Sequence, residues 1–135
     1  MNQYLLDTNV VSELRKPRPH GAVVAWINDQ QDEQLFLSAV TLGELQAEIE
    51  ITRRQDATKA REIELWAEQL TASYQILPMD SLCFREWGRI IARNADRLLE
   101  DAMIAATACV HNLIVATRNE GDFKRLDVRI VNPFK

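Results

Sequence analysis

Four acidic residues lie where strand-like and helix-like segments meet. They are Asp7 in Leu5-Leu6-Asp7-Thr8-Asn9, Glu44 in Thr41-Leu42-Gly43-Glu44-Leu45, Asp101 in Leu99-Glu100-Asp101-Ala102-Met103-Ile104, and Asp122 in Asn119-Glu120-Gly121-Asp122-Phe123. Taken singly, three of them have a bland explanation. Asp7 suits the cap of a following helix, Thr41-x-x-Glu44 matches a capping box, and Asp122 suits the cap of a helix starting at Phe123. Asp101 is the most informative. Its helical neighbours Ile104, Ala105, Ala108 and Cys109 are all apolar, which places the acid at the end of a buried face. Attraction to the helix dipole, about 0.3–1 kcal/mol, accounts for an acid in the first turn but not for one on the buried side. There a carboxylate is costly unless it is paired or bound to a metal. Brought together, four carboxylates repel one another, so they either protonate or share a cation. No His or Cys falls in these stretches. The ligands are therefore all oxygen, which selects Mg²⁺ or Mn²⁺ over zinc.

The elements that position these acids are legible from periodicity. Short apolar runs at Gln3–Leu6, Gln34–Ser38, Gln75–Met79, Leu113–Thr117 and Val128–Val131 are expected as strands. Between them, apolar residues spaced three and four apart predict helices at Val10–Arg15, Ala22–Gln30, Val40–Arg54, Thr58–Ser73, Ser81–Asn94, Leu98–Asn112 and Asp122–Leu126. The Lys16-Pro17-Arg18-Pro19 stretch stops the first helix. Two successive helices between Glu44 and Tyr74 imply a helical hairpin. Strand–helix alternation of this kind gives an α/β domain with a mainly parallel sheet covered on both faces. Strands of such a sheet end at one edge, where ligands bind. All four acids map to that edge.

The chain has 135 residues, enough for one domain spanning 1–135. Four Gly and four Pro leave no flexible linker or low-complexity tract. Cys83 and Cys109 form no C-x-x-C pair, so neither a disulfide framework nor a zinc site is expected. The first residues lack the basic and apolar regions of a signal peptide, and no apolar run is long enough for a spanning helix. The expected setting is cytoplasmic, without membrane contact. A net charge of −4 lacks the basic footprint of many nucleic-acid binders, but a carboxylate metal site biases that count.

Four stretches together resemble the PIN-domain family, specifically the VapC/FitB-like toxins of bacterial type II toxin–antitoxin pairs. They are Leu5-Leu6-Asp7-Thr8-Asn9-Val10-Val11-Ser12-Glu13, Leu37-Ser38-Ala39-Val40-Thr41-Leu42-Gly43-Glu44-Leu45, Asp101-Ala102-Met103-Ile104-Ala105-Ala106-Thr107-Ala108 and Ala116-Thr117-Arg118-Asn119-Glu120-Gly121-Asp122-Phe123, in the family's order. The resemblance implies a PIN-like α/β/α sandwich, Mg²⁺-dependent endoribonuclease activity that leaves 5′-phosphate and 3′-hydroxyl ends, and inhibition by a cognate antitoxin. It assigns the metal site to Asp7, Glu44, Asp101 and Asp122, with Thr8, Asn9, Thr117 and Asn119 as polar support. The segment Asn94-Ala95-Asp96-Arg97-Leu98-Leu99-Glu100 lacks the Pro often found there in the family.

On this reading the ion polarises a phosphodiester of the RNA substrate and activates water. His20 and His111 are expected at the surface, so neither is the general base. Arg85, Arg89, Arg93 and Arg97 recur every four residues, and the first three line one helix face that either grips RNA phosphates or is simply solvated. Thr52-Arg53-Arg54, at a helix C-terminus, carries the same two readings. Trp26, Trp66 and Trp87 are expected in packing positions. Apolar positions on the Leu65–Leu70 helix are candidates for a homodimer or antitoxin surface. A haloacid-dehalogenase-like phosphatase would need an Asp where Asn9 stands. A phospho-receiver would need an acidic pair after the first strand, with Asp80 as acceptor. A non-catalytic protein-binding module would have lost a ligand.

Overall fold

The computed structural model describes residues 1–94 and 98–135; Ala95, Asp96 and Arg97 lie outside the described residues. Five strands run β1 (Tyr4–Leu6), β2 (Leu35–Ser38), β3 (Gln75–Leu77), β4 (Ile114–Ala116) and β5 (Ile130–Val131). They form one sheet in the order β3-β2-β1-β4-β5, with every pairing parallel. The helices are α1 (Thr8–Arg15), α2 (Gly21–Asn28), α3 (Ala39–Arg53), α4 (Ala57–Ser73), α5 (Ser81–Arg93), α6 (Leu99–His111) and α7 (Glu120–Arg125).

Alternation along the strands splits the core into two layers. Leu5, Phe36 and Val115 face a cluster built with Ile90, Ile104, Ala105 and Phe123 from α5, α6 and α7. Leu6, Leu35, Leu37 and Ala116 face Val10, Val23, Leu45 and Leu70 from α1 to α4. The result is the three-layer α/β/α sandwich expected from the alternation. Beyond the sheet, Ile49, Ala60 and Ile63 close the α3–α4 hairpin. The buried stripe of α6 is mostly small, with Ala102, Ala105, Ala106 and Ala108, so this helix can sit close to its neighbours.

The strands are shorter than the apolar runs suggest. Gln34 belongs to a 3₁₀ turn at Asp32–Gln34, its amide donating to Asn2 O at 2.7 Å. Asp127 turns the chain at φ 56°, so β5 begins only at Ile130. Helix α7 starts at Glu120 rather than Asp122, and α3 starts at Ala39 behind a Ser38 cap.

Register places the strand ends together. Leu6 lies beside Leu37 and Ala116, so Asp7 and Thr117 each stand one residue past their strands at the same edge, level with Ser38 at the end of β2. Helix α6 joins them from below. The start of α5 at Asp80 is within electrostatic reach of His111, and Trp87 Nε1 donates to Leu99 O at 3.2 Å. These two helices therefore run antiparallel.

Phe123, fully buried, fixes α7 to the α6 layer. Phe123→Ala is expected to cost about 3–5 kcal/mol in urea denaturation. A cost below about 1 kcal/mol would show that α7 is not anchored this way.

Candidate metal centre

Asp7 is the most constrained of the four acids. It caps α1, Oδ1 accepting from Thr8 N at 2.8 Å, while Oδ2 accepts from Thr117 Oγ1 at 2.8 Å and Asn9 Nδ2 at 3.1 Å. Only 5% of the residue is exposed. The capping role is thus real, but it uses one oxygen of two. Burial pushes the Asp7 carboxyl above its usual range, and the bonds from Thr117, Thr8 and Asn9 pull it back.

Glu44 stands in the second turn of α3. It does not close a capping box: Ser38 caps the helix, its hydroxyl accepting from Val40 N at 3.0 Å. Glu44 Oε1 instead lies 2.9 Å from Thr8 Oγ1, which is also 3.0 Å from the buried Thr41 Oγ1. With one proton to give, the Thr8 hydroxyl donates to the carboxylate and accepts from Thr41. Burial raises the Glu44 carboxyl, the Thr8 bond lowers it, and the charges of Asp7 and Glu100 raise it further.

Asp101 and Asp122 share one partner. Asn119 Nδ2 donates to Asp122 Oδ2 at 2.9 Å and reaches Asp101 Oδ2 at 3.4 Å. Asn119 is itself placed by its backbone N–H, which donates to Thr117 Oγ1 at 2.9 Å. Asp122 sits inside the first turn of α7 and does not cap it; Asn119 holds the cap position, yet its side chain caps nothing. Burial, followed by repulsion from Asp7, Asp122, Glu44 and Glu100, pushes the Asp101 carboxyl up to about 6.

The four expected acids therefore meet at one edge and act on one another electrostatically. Among the described residues, however, no group of three or more His, Cys, Asp or Glu side chains is arranged to hold a metal ion as it stands. The donor set suits a hard divalent cation: one buried and three half-buried carboxylates, with no nitrogen or sulfur ligand.

The four expected supporting residues, Thr8, Asn9, Thr117 and Asn119, each hydrogen-bond one of these acids. Asn9 Oδ1 also accepts from Arg118 N at 3.2 Å, which ties the start of α1 to the loop after β4. Thr41 was missed by sequence reasoning, absorbed into a capping box that does not form. Glu100 is exposed, yet close enough to raise both Glu44 and Asp101.

Arg85, Arg89 and Arg93 lie apart from the acids on the exposed face of α5. Arg89 pairs with Glu86 at 3.7 Å. Arg93 is within electrostatic reach of Cys109, near the C-terminal end of α6. Arg97 lies outside the described residues. Arg53 is engaged by Glu50 and Glu64. His20 caps α2 through Nδ1, which accepts from Ala22 N at 3.2 Å, and both histidines are exposed. Asp80 caps α5, accepting from Cys83 N at 3.0 Å. Trp26 packs edge-on to Tyr4, Trp66 lies under Arg15, and Trp87 packs edge-on to Phe84.

Comparison with known proteins gives a consistent result. The PIN domain family model matches residues 4–129. VapC ribonuclease Y4jK of Sinorhizobium fredii is 37% identical, covering 97% of each chain. Toxin FitB of Neisseria gonorrhoeae is 35% identical, covering 96% of this chain and 97% of its own. The crystal structure of FitAcB from Neisseria gonorrhoeae aligns with a TM-score of 0.88 at 34% identity, covering 98% of this chain and 99% of its own. No described helix is long and apolar enough to cross a membrane.

The raised Asp101 carboxyl has a consequence for stability. The folded protein keeps this proton up to about pH 6, whereas an unperturbed Asp releases it near 3.8. Its stabilising effect is complete below the lower value and is lost as pH rises through the higher one. Above that, ionised Asp101 costs on the order of 1 kcal/mol, discounted for solvent screening. In EDTA at pH 7.5, Asp101→Asn is expected to raise the melting temperature by about 3–5 °C, with the gain vanishing near pH 4. A lower melting temperature at pH 7.5 would contradict the repulsion.

Proposed function

The chain belongs to the PIN-domain family, and on that premise we propose that it is a metal-dependent endoribonuclease, the toxin of a toxin–antitoxin pair. One observation carries the catalytic reading. Acids from four separate segments, Asp7, Glu44, Asp101 and Asp122, lie within mutual electrostatic reach at the edge where the strands end. The names of the relatives, a VapC ribonuclease and Toxin FitB, support RNA as substrate and the toxin role. A solved complex described as FitAB bound to DNA, 32% identical to this chain with a TM-score of 0.86, supports a protein antitoxin as partner.

In the proposed mechanism Asp7, Glu44, Asp101 and Asp122 hold Mg²⁺, with Mn²⁺ as an alternative. When bound, such an ion lowers the pKa of water and offsets charge on the phosphoryl oxygens. The rest is the work of the chain. Thr117, Thr8 and Asn9 orient Asp7 before any ligand arrives, so little ordering remains to be done on binding. Thr8 gives its proton to Glu44 Oε1 and so links the first two acids. Asn119 joins Asp101 to Asp122 through one amide nitrogen. Asp101 holds a proton below about pH 6 and must release it for the full negative set to form, so activity rises through that pH. Neither histidine is assigned as general base. Arg85, Arg89 and Arg93 are proposed to meet RNA phosphates. The proposal extends to a homodimer through the outer face of α4, where Leu65 is 44% exposed; Leu70, on the inner face, is buried and takes no part. A cytoplasmic setting completes it.

The test is cleavage of RNA by purified protein with and without Mg²⁺, beside Asp7→Asn and Asp101→Asn. Cleavage is expected only with the metal, and each substitution is expected to lower it by at least ~100-fold. Cleavage that persists in EDTA, or in either variant at the parent rate, would refute the mechanism.

A further inference from the structure

The loop between β4 and α7 has a support that the metal-site reading does not use. Asn119, which carries both Asp101 and Asp122, is flanked by Arg118 and Glu120, and both are held by the segment Asn132–Lys135. The Arg118 guanidinium lies over the Phe134 ring, 4.9 Å from its centroid. His20 meets the same ring edge-on at 5.4 Å, so Phe134 is held from two sides. Glu120 Oε2 accepts from Asn132 Nδ2 at 3.0 Å and from Lys135 Nζ at 2.7 Å. Asn132 Oδ1 in turn accepts from Phe134 N at 2.9 Å, which makes the segment a closed turn.

This support meets a local need. Asn is a favoured helix cap, and Asn119 stands at the cap position of α7, but its side chain is turned toward the two acids. A six-residue helix without a capping side chain is weak by itself. The loop must therefore be ordered from outside, and the contacts at Arg118 and Glu120 grip it on both sides of Asn119. The Lys135 pair is exposed and contributes little, so the Phe134 clamp and the Asn132 bond are the tethers this segment adds to the bonds of Arg118 N to Asn9 and of Asn119 N to Thr117.

We propose that Asn132–Lys135 is a strap that sets the position of Asn119, with Phe134 as a positioning residue acting through Asn119 on Asp101 and Asp122. The proposal rests on the metal-site reading for its consequence and on the hydrogen-bond geometry for its existence, so the test reads each separately. In metal-free protein, the Asn119 side-chain amide signals are followed by ¹⁵N NMR in Phe134→Ala, Phe134→Tyr and Glu120→Ala. Mn²⁺ affinity is then measured by EPR titration, and kcat and KM on RNA are determined. Phe134→Ala is expected to shift the Asn119 amide signals. It is also expected to weaken Mn²⁺ binding about ten-fold and lower kcat similarly, with KM changed by less than about two-fold. Phe134→Tyr, which keeps the ring, is expected to restore all three. Glu120→Ala cuts the second tether without opening the core, and is expected to move the same signals even if Phe134→Ala does not fold. Unmoved Asn119 signals in the folded variants would overturn the strap. Failure of the parent protein to bind Mn²⁺, with the Asn119 signals moving as expected, would overturn the metal-site reading and leave the strap standing.

Discussion

Burial of carboxylates at one sheet edge, with repulsion between them added at Glu44 and Asp101, is the constraint around which this chain is built. Burial alone would favour a protonated Asp7, and the neighbouring acids raise Asp101 further. A fold optimised only for stability would place apolar or neutral groups there. The chain instead offsets the cost with directed donors. Asp7 receives three hydrogen bonds, Glu44 receives the Thr8 hydroxyl, and Asn119 gives its amide to two acids.

The parallel sheet makes this arrangement possible. In-register endings of β1 and β4 put Asp7 beside Thr117, so one hydroxyl bridges positions 110 residues apart in the chain. Small residues along α6 allow that helix to lie close, which delivers Asp101 to the same edge. The costs appear nearby. Helix α7 goes without a side-chain cap because Asn119 is used elsewhere, and stability is given up at a functional position.

Much of this was legible in the sequence because it depends on local pattern. Apolar runs marked the five strands of the described residues, helical spacing marked their seven helices, and the apolar neighbours of Asp101 marked it as the end of a buried face. What escaped depends on side chains from distant segments. Thr41-x-x-Glu44 satisfies the capping-box spacing, but Ser38 already occupies the cap, and only the approach of Thr8 shows what Glu44 and Thr41 are for. Gln34 continues the apolar run on paper, yet its bond to Asn2 O holds it in a 3₁₀ turn. The Phe134 clamp joins residues 20, 118 and 134, and no periodicity connects them.

The central claim is that Asp7, Glu44, Asp101 and Asp122 share one divalent cation. Anomalous diffraction from crystals soaked in Mn²⁺ at pH 7.5 tests it directly. A single site ligated by oxygens of Asp7 and Asp101, lost in the Asp101→Asn protein, is the expected result. Manganese bound elsewhere, or carboxylates that stay apart at saturating Mn²⁺, would contradict it.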